Sequence, residues 1–259
     1  MIPSPTIIAM ANLLQQVFGE SPSPPTKINI NVTTSSTTLH KHGSNNPFTL
    51  TLEATLPESA NTPTKPLTIL TFDTLLDPNG NALYESGIDF INSDTGAHAK
   101  RTSLAAHHGF GGKSNIVIDP QFERYFVTLE PGVPYRVTHT MRPCPKLSQE
   151  SGSKSGEVRT PQQEGNSTAE DEAVIAAAFS HVTSLDVSST YRVGLGDKMN
   201  QISWYRYGVK EEVLKGQGAG GGLVQRLMGT KRHPERVGDS EMQAIPLVMH
   251  GSASFRVEE

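Results

Sequence analysis

The sequence is short of cysteine, tryptophan and charge, and each shortage excludes something. Cys144 is the single cysteine, set between Pro143 and Pro145. No disulfide can form within the chain, and a reducing, cytoplasmic compartment is the expectation. Charged residues make up 19% of the chain and the formal net charge is -4. Neither nucleic acid nor an anionic membrane surface is therefore expected as the main partner. Long apolar runs are lacking too. Ile7–Ala11 is apolar, but no Lys or Arg precedes it and Asn12, Gln15 and Gln16 follow, so it suits neither a signal peptide nor a membrane span. With 259 residues, the chain has material for a core that needs no covalent staple.

What is present is alternation. Ile28, Ile30 and Val32 alternate with polar residues, and Phe48–Leu56 alternates without a break, the period-2 signature of a half-buried strand. Further β-rich runs lie at Leu67–Phe72, Ile88–Ile91, Ile116–Ile118, Tyr125–Leu129, Ile202–Tyr207, Ile245–Met249 and Ser252–Val257. The runs at 67–72 and 88–91 are separated by Asp, Pro, Asn and Gly and read as neighbouring antiparallel strands. Asn92-Ser-Asp-Thr-Gly96 reads as the turn that follows them. Helical signals are few: residues 7–18, with Ser21–Pro25 as a stiff linker, and a capping pattern of Ser167 and Glu170 before residues 173–179.

Leu129-Glu-Pro-Gly-Val-Pro-Tyr135-Arg-Val137 has the spacing of a tyrosine corner, in which a phenol bonds the backbone just upstream. Leu185–Val193 repeats the Leu and the Tyr-Arg-Val without the Pro-Gly. These features predict an all-β chain: residues 1–26 as amphipathic helix and Pro-rich linker, and 27–259 as one immunoglobulin/fibronectin-like antiparallel β-sandwich. Short peripheral helices and two long insertions, 143–180 and 215–244, complete the expectation.

Leu67–Pro78, Ile88–Gly96 and Thr128–Val137 together resemble a group of uncharacterised fungal β-sandwich proteins, and are more distantly similar to the propeptide of deuterolysin-type fungal zinc proteases. The resemblance implies an immunoglobulin-like module that binds or shields another protein. No His-Glu-x-x-His occurs, so no protease activity follows from it.

Sites of chemistry are sparse. His40 and His42 would share a strand face and could hold a metal with His98 or an Asp, but they lie in polar sequence where histidines are ordinarily solvated. Gly109-Phe-Gly-Gly-Lys-Ser114 lacks the first glycine of a phosphate loop, and His107 stands in its place. Asp73, Asp77 and Asp89 read as turn or strand residues rather than an acid/base group. His139 alternates with Tyr135, Val137 and Met141 on a core face, and Trp204 is expected to be buried with Arg206 on its side of the strand. No catalytic, metal or cofactor set emerges.

The candidate partner or ligand surface is His107, His108, Lys113, Arg206, Tyr207, Arg226, Lys231 and Arg232, where cations, aromatics and glycine-rich loops coincide. The expectation is a non-catalytic binding module whose partner is another protein or a small molecule. Its alternatives are a small-molecule enzyme of fungal specialised metabolism and a propeptide-like inhibitor or chaperone.

Overall fold

The computed structural model describes residues 25–57, 65–78, 81–84, 86–100, 115–144, 180–218, 235–239 and 242–259. Alternating sequence becomes strand where one face can be buried. Ile28, Ile30 and Val32 are buried in β1 (Ile28–Thr34), as are Leu50, Leu52 and Ala54 in β3 (Thr49–Thr55), beyond the short β2 (Thr38–His40). Next come β4 (Leu67–Leu70), β5 (Ile88–Asn92), β6 (Phe126–Leu129), β7 (Tyr135–Thr140) and β8 (Thr190–Leu195). After β9 (Gln201–Ile202) and β10 (Tyr205–Tyr207), helix α1 (Lys210–Gly218) intervenes before β11 (Ile245–His250) and β12 (Ser254–Glu258). The architecture is mostly β.

The strands form three sheets, ordered β7-β3-β1-β11-β9, β2-β12-β8-β5 and β10-β4-β6. This departs from an all-antiparallel, two-layer sandwich in a specific way: β11 runs parallel to β1, and β12 parallel to β2. Because β1 and β2 lie in different sheets, as do β11 and β12, two adjacent segments cross together from one sheet to the next. Gly251, between β11 and β12, sits at φ 81°, the left-handed region that a side chain disfavours. Phe255 lies at the centre of the resulting core, its ring centroid 5.1 Å from Phe48, 5.5 Å from Phe90 and 6.2 Å from Tyr191. Burying a side chain of this size is worth roughly 1.5–3 kcal/mol.

Several expectations change. The runs at 67–72 and 88–91 are not neighbours: β4 pairs with β6 and β10, whereas β5 pairs with β8. Residues 71–77 fold on themselves, with Thr74 N donating to Thr71 O and Asp77 N to Thr74 O. Ile116 and Ile118 are buried, yet only an isolated bridge from Val117 to Arg236 forms there, and Pro120–Tyr125 is a 3-10 turn. Ile202–Tyr207 is not one strand. It divides at Ser203-Trp204, so that β9 joins β11 and β10 joins β4. The divided strand carries Trp204 into a second, smaller core with Leu70, Phe72, Phe126 and Leu214, where the indole packs edge-on against Phe126 at 5.1 Å.

The tyrosine corner also moves. Pro131-Gly132 does form a turn, closed by Val133 N donating to Glu130 O, with Gly132 at φ 73°. Tyr135 beyond it is only half-buried, and burial, helped by the Asp77 charge, pushes its phenol pKa up. Tyr191 makes the corner instead. Its hydroxyl accepts from Asp186 N at 2.9 Å and lies 3.3 Å from Asp186 Oδ2, while the ring is 2% exposed. The hydroxyl there satisfies a loop amide, and the turn before Tyr135 closes through its own backbone. The helix expected at 7–18, the one at 173–179 and the bulk of both insertions lie outside the described residues.

Tyr191→Phe removes that acceptor and is expected to destabilise the protein by about 1–2 kcal/mol, whereas Tyr135→Phe should change stability by less than about 0.5 kcal/mol. Urea unfolding of the two variants checks this; the reverse order would show the corner to be misplaced.

Candidate functional site

A surface pocket of about 670 Å³ lies where residues 35–48 face residues 140–143. Its walls are fixed by backbone geometry. His40–Gly43 is a turn in which Gly43 N donates to His40 O, and Gly43 takes φ 85°. An ideal Cβ on Gly43 would come within 3.2 Å of Pro143, so the turn sits close against the opposite wall. The walls are joined by Met141 N donating to Phe48 O at 2.9 Å and Cys144 N to Lys41 O at 2.8 Å. Lys41 N donates to Glu258 O, which ties the turn to the end of β12.

The lining divides by chemistry. Leu39, Phe48 and Met141 contribute apolar surface although each is itself largely buried. Ser36, Thr38, Asn45 and Asn46 add hydroxyls and amides. His40 and Arg142 are the titratable lining residues, and no carboxylate residue joins them among the described residues. A pocket with few convergent polar groups on an apolar base is the ordinary form of a small-molecule site.

Arg142 is held firmly. Its N–H donates to His181 Nδ1 at 2.9 Å, and its carbonyl accepts from His181 N and from Ser180 Oγ. Its guanidinium carbon lies 5.7 Å from the centroid of Tyr84, whose ring in turn packs 4.3 Å from His181. Burial pushes the Tyr84 phenol up and the nearby Arg142 charge pulls it down. Arg142 makes no ion pair among the described residues, unlike Arg136 with Glu53 and Arg206 with Glu235.

A second pocket, about 560 Å³, lies beside the β5 hairpin. Asn92 Oδ1 accepts from Asp94 N and Thr95 N, Gly96 takes φ 71°, and His98 returns opposite Ile91, which makes the expected turn. The hairpin sets His98 Nδ1 against Asp89 Oδ2, while Asp89 Oδ1 accepts from Phe90 N. Ser86 and Gly196 line the same pocket. Ser86 takes φ 60°, and a Cβ on Gly196 would fall 1.7 Å from Ser86 O. The Asp89–His98 pair closes a hairpin, and His98 is largely exposed.

Of the residues singled out from sequence, Arg206 and Tyr207 fall within the description. Arg206 lies over Trp204 at 5.6 Å, on the expected side of the strand, and its charge is met by Glu235. Tyr207 is half-buried, and burial pushes its phenol up. Neither lines a pocket described above. His107, His108, Lys113, Arg226, Lys231 and Arg232 lie outside the described residues. Among the described residues no group of three or more His, Cys, Asp or Glu could hold a metal: His42 faces Glu259 and His40 its main-chain oxygen, far in the chain from the Asp89–His98 pair. His139 is fully buried and donates from Nε2 to Leu75 O, leaving Nδ1 without a hydrogen-bond partner among the described residues. Burial holds its pKa below the ordinary value against the opposing pull of Leu75 O and Asp77. Asp77, read from sequence as a turn residue, is also fully buried. No described helix is long and apolar enough to cross a membrane.

Sequence reasoning missed Arg142 and the pocket beside it. Hydroxyl- and amide-rich stretches such as 35–46 read as solvated loop, and the signal that could have marked Arg142, a lone cation directly after the alternating run 135–141, is weak.

The contact between Gly196 and Ser86 gives an expected outcome. Gly196→Ala should cost about 3 kcal/mol or more because backbone must move, whereas Ser86→Gly should stabilise by up to about 1 kcal/mol by relieving the left-handed φ. Thermal and urea unfolding check both, and a tolerated Gly196→Ala would contradict the packing. In comparison with known proteins, no family model, no curated protein and no solved structure matches this chain.

Proposed function

We propose that the chain is a non-catalytic binding module whose ligand is a small molecule held between residues 35–48 and 140–143. The observation that carries this reading is the pocket itself, with an apolar base, a rim of hydroxyls and amides, and walls joined by backbone hydrogen bonds. Its described lining contains no Asp, Glu or Cys, and His40 meets a main-chain oxygen of Glu259 rather than a side-chain carboxylate or a thiol, the pairings that general-base and nucleophilic catalysis use. A small ligand is favoured over a protein partner by the surface: among the described residues Val133 is the one exposed large hydrophobic, too little for an apolar docking patch. The corner at Tyr191 supports an immunoglobulin-like ancestry for the sheet containing β8, and the single cysteine supports a reducing compartment. An enzyme is the second reading, favoured by the Asp89–His98 pair, because a carboxylate on Nδ1 is how a general-base histidine is oriented.

Native mass spectrometry of the full chain after incubation with a cell metabolite extract tests the binding reading. A one-to-one small-molecule adduct is expected. Asn46→Trp, which fills the pocket from an exposed position whose side chain makes no hydrogen bond among the described residues, should abolish it with little change in melting temperature. No adduct, or one that persists unchanged in Asn46→Trp, would overturn the reading.

A further inference from the structure

We infer that the ligand of this pocket is an organic anion, a carboxylate or phosphate group on a partly apolar body, with Arg142 as its counter-ion; the inference rests on the binding reading above. The charge pattern leads to it. Arg142 is a permanent cation and the one arginine on the described lining of the pocket; Arg136 and Arg206 are paired with Glu53 and Glu235, and Arg124, Arg192, Arg236 and Arg256, which make no ion pair among the described residues, do not line it. Arg142 has no such partner among the described residues, and the described lining of the pocket beside it contains no Asp or Glu. A cation left unmatched beside a concave surface favours an anion, and the planar guanidinium suits carboxylate and phosphate oxygens in pairs.

Preorganisation points the same way. The backbone on both sides of the Arg142 Cα is bonded to His181, and the guanidinium rests over the Tyr84 ring, so less freedom remains to be lost on binding than for a free surface arginine. His40 provides a second polar group on the lining. It stands at the end of β2, with Nδ1 3.3 Å from the main-chain oxygen of Glu259. Leu39, Phe48 and Met141 offer an apolar base to the rest of the ligand. The volume of about 670 Å³ falls within the usual range for small-molecule sites.

Isothermal calorimetry of the full chain with benzoate, phenyl phosphate and the neutral benzamide tests this. At least one anion is expected to bind one-to-one and about tenfold or more tighter than benzamide, and which anion does so separates carboxylate from phosphate recognition. Arg142→Gln should weaken that binding about tenfold or more, Arg142→Lys should restore part of it, and Arg136→Gln should leave it unchanged. Raising the salt concentration should weaken the wild type more than Arg142→Gln. Benzamide binding as tightly as the anions, anion binding unaffected by Arg142→Gln, or no binding by any of the three would overturn the inference. The extract adduct judges the binding reading separately: an adduct that Asn46→Trp removes and Arg142→Gln leaves intact would keep the pocket and discard the anion.

Discussion

Everything in this fold waits on a parallel pairing between stretches at opposite ends of the sequence. Ile28 lies opposite Leu247 and Asn31 opposite His250, an offset of 247 - 28 = 219; beyond the sheet junction Thr38 lies opposite Arg256, an offset of 256 - 38 = 218. One extra residue on the earlier segment absorbs the bend, and the two segments turn together from one sheet into the other. Loop closure of this length costs more than a hairpin, but the cost grows only logarithmically with separation. Burial offsets it: Ile28, Ile30, Leu39, Leu247, Phe255 and Val257 are each 3% exposed or less.

The same constraint positions the candidate site. β2 is an edge strand whose neighbour in the sheet is β12, so within its sheet this wall of the pocket is held by the later segment. The opposite wall continues from β7, which pairs with β3, and Phe48 belongs to both settings: its ring packs on Phe255 and its carbonyl accepts from Met141 N. A pocket framed this way is built into the closure of the sheets, although its rim consists of exposed loop residues. Tyr191 and Asp186 brace the next strand over, β8, which packs the other edge of β12.

The alternation that marks β1, β3 and β7 was legible because each strand buries one face, and period-2 patterning reports burial directly. So was the burial of Trp204, as was the hairpin turn after β5, where Asn92 and Gly96 do the work of a turn. Pairing was not legible. Nothing in Ile245–His250 says that its neighbour is β1 rather than β12, because a strand's pattern encodes which face is buried and not who lies beside it. The division at Ser203-Trp204 was hidden for a related reason: the run 202–207 alternates, but its two halves join different sheets, and Trp204 between them enters a different core from Ile202 and Tyr205. Pro131-Gly132 drew the tyrosine corner to Tyr135, whereas the corner needs an upstream amide to satisfy, which Asp186 supplies to Tyr191. Arg142 escaped notice because what sets it apart is its place on a pocket lining that holds no Asp or Glu, a property of three-dimensional surroundings.

Native-state hydrogen exchange gives the most direct test of the parallel closure. The Arg256 amide, bonded to Thr37 O at 2.8 Å, is the reporter for the pairing of β12 with β2. The account predicts that it and the amides shared by β1 and β11 exchange only through global unfolding, with the same free energy as the central amides of β3. Exchange of Arg256 through a low-energy local opening, while β3 and β7 stay protected, would contradict it and show the final strands to be an accessory to a core that holds without them.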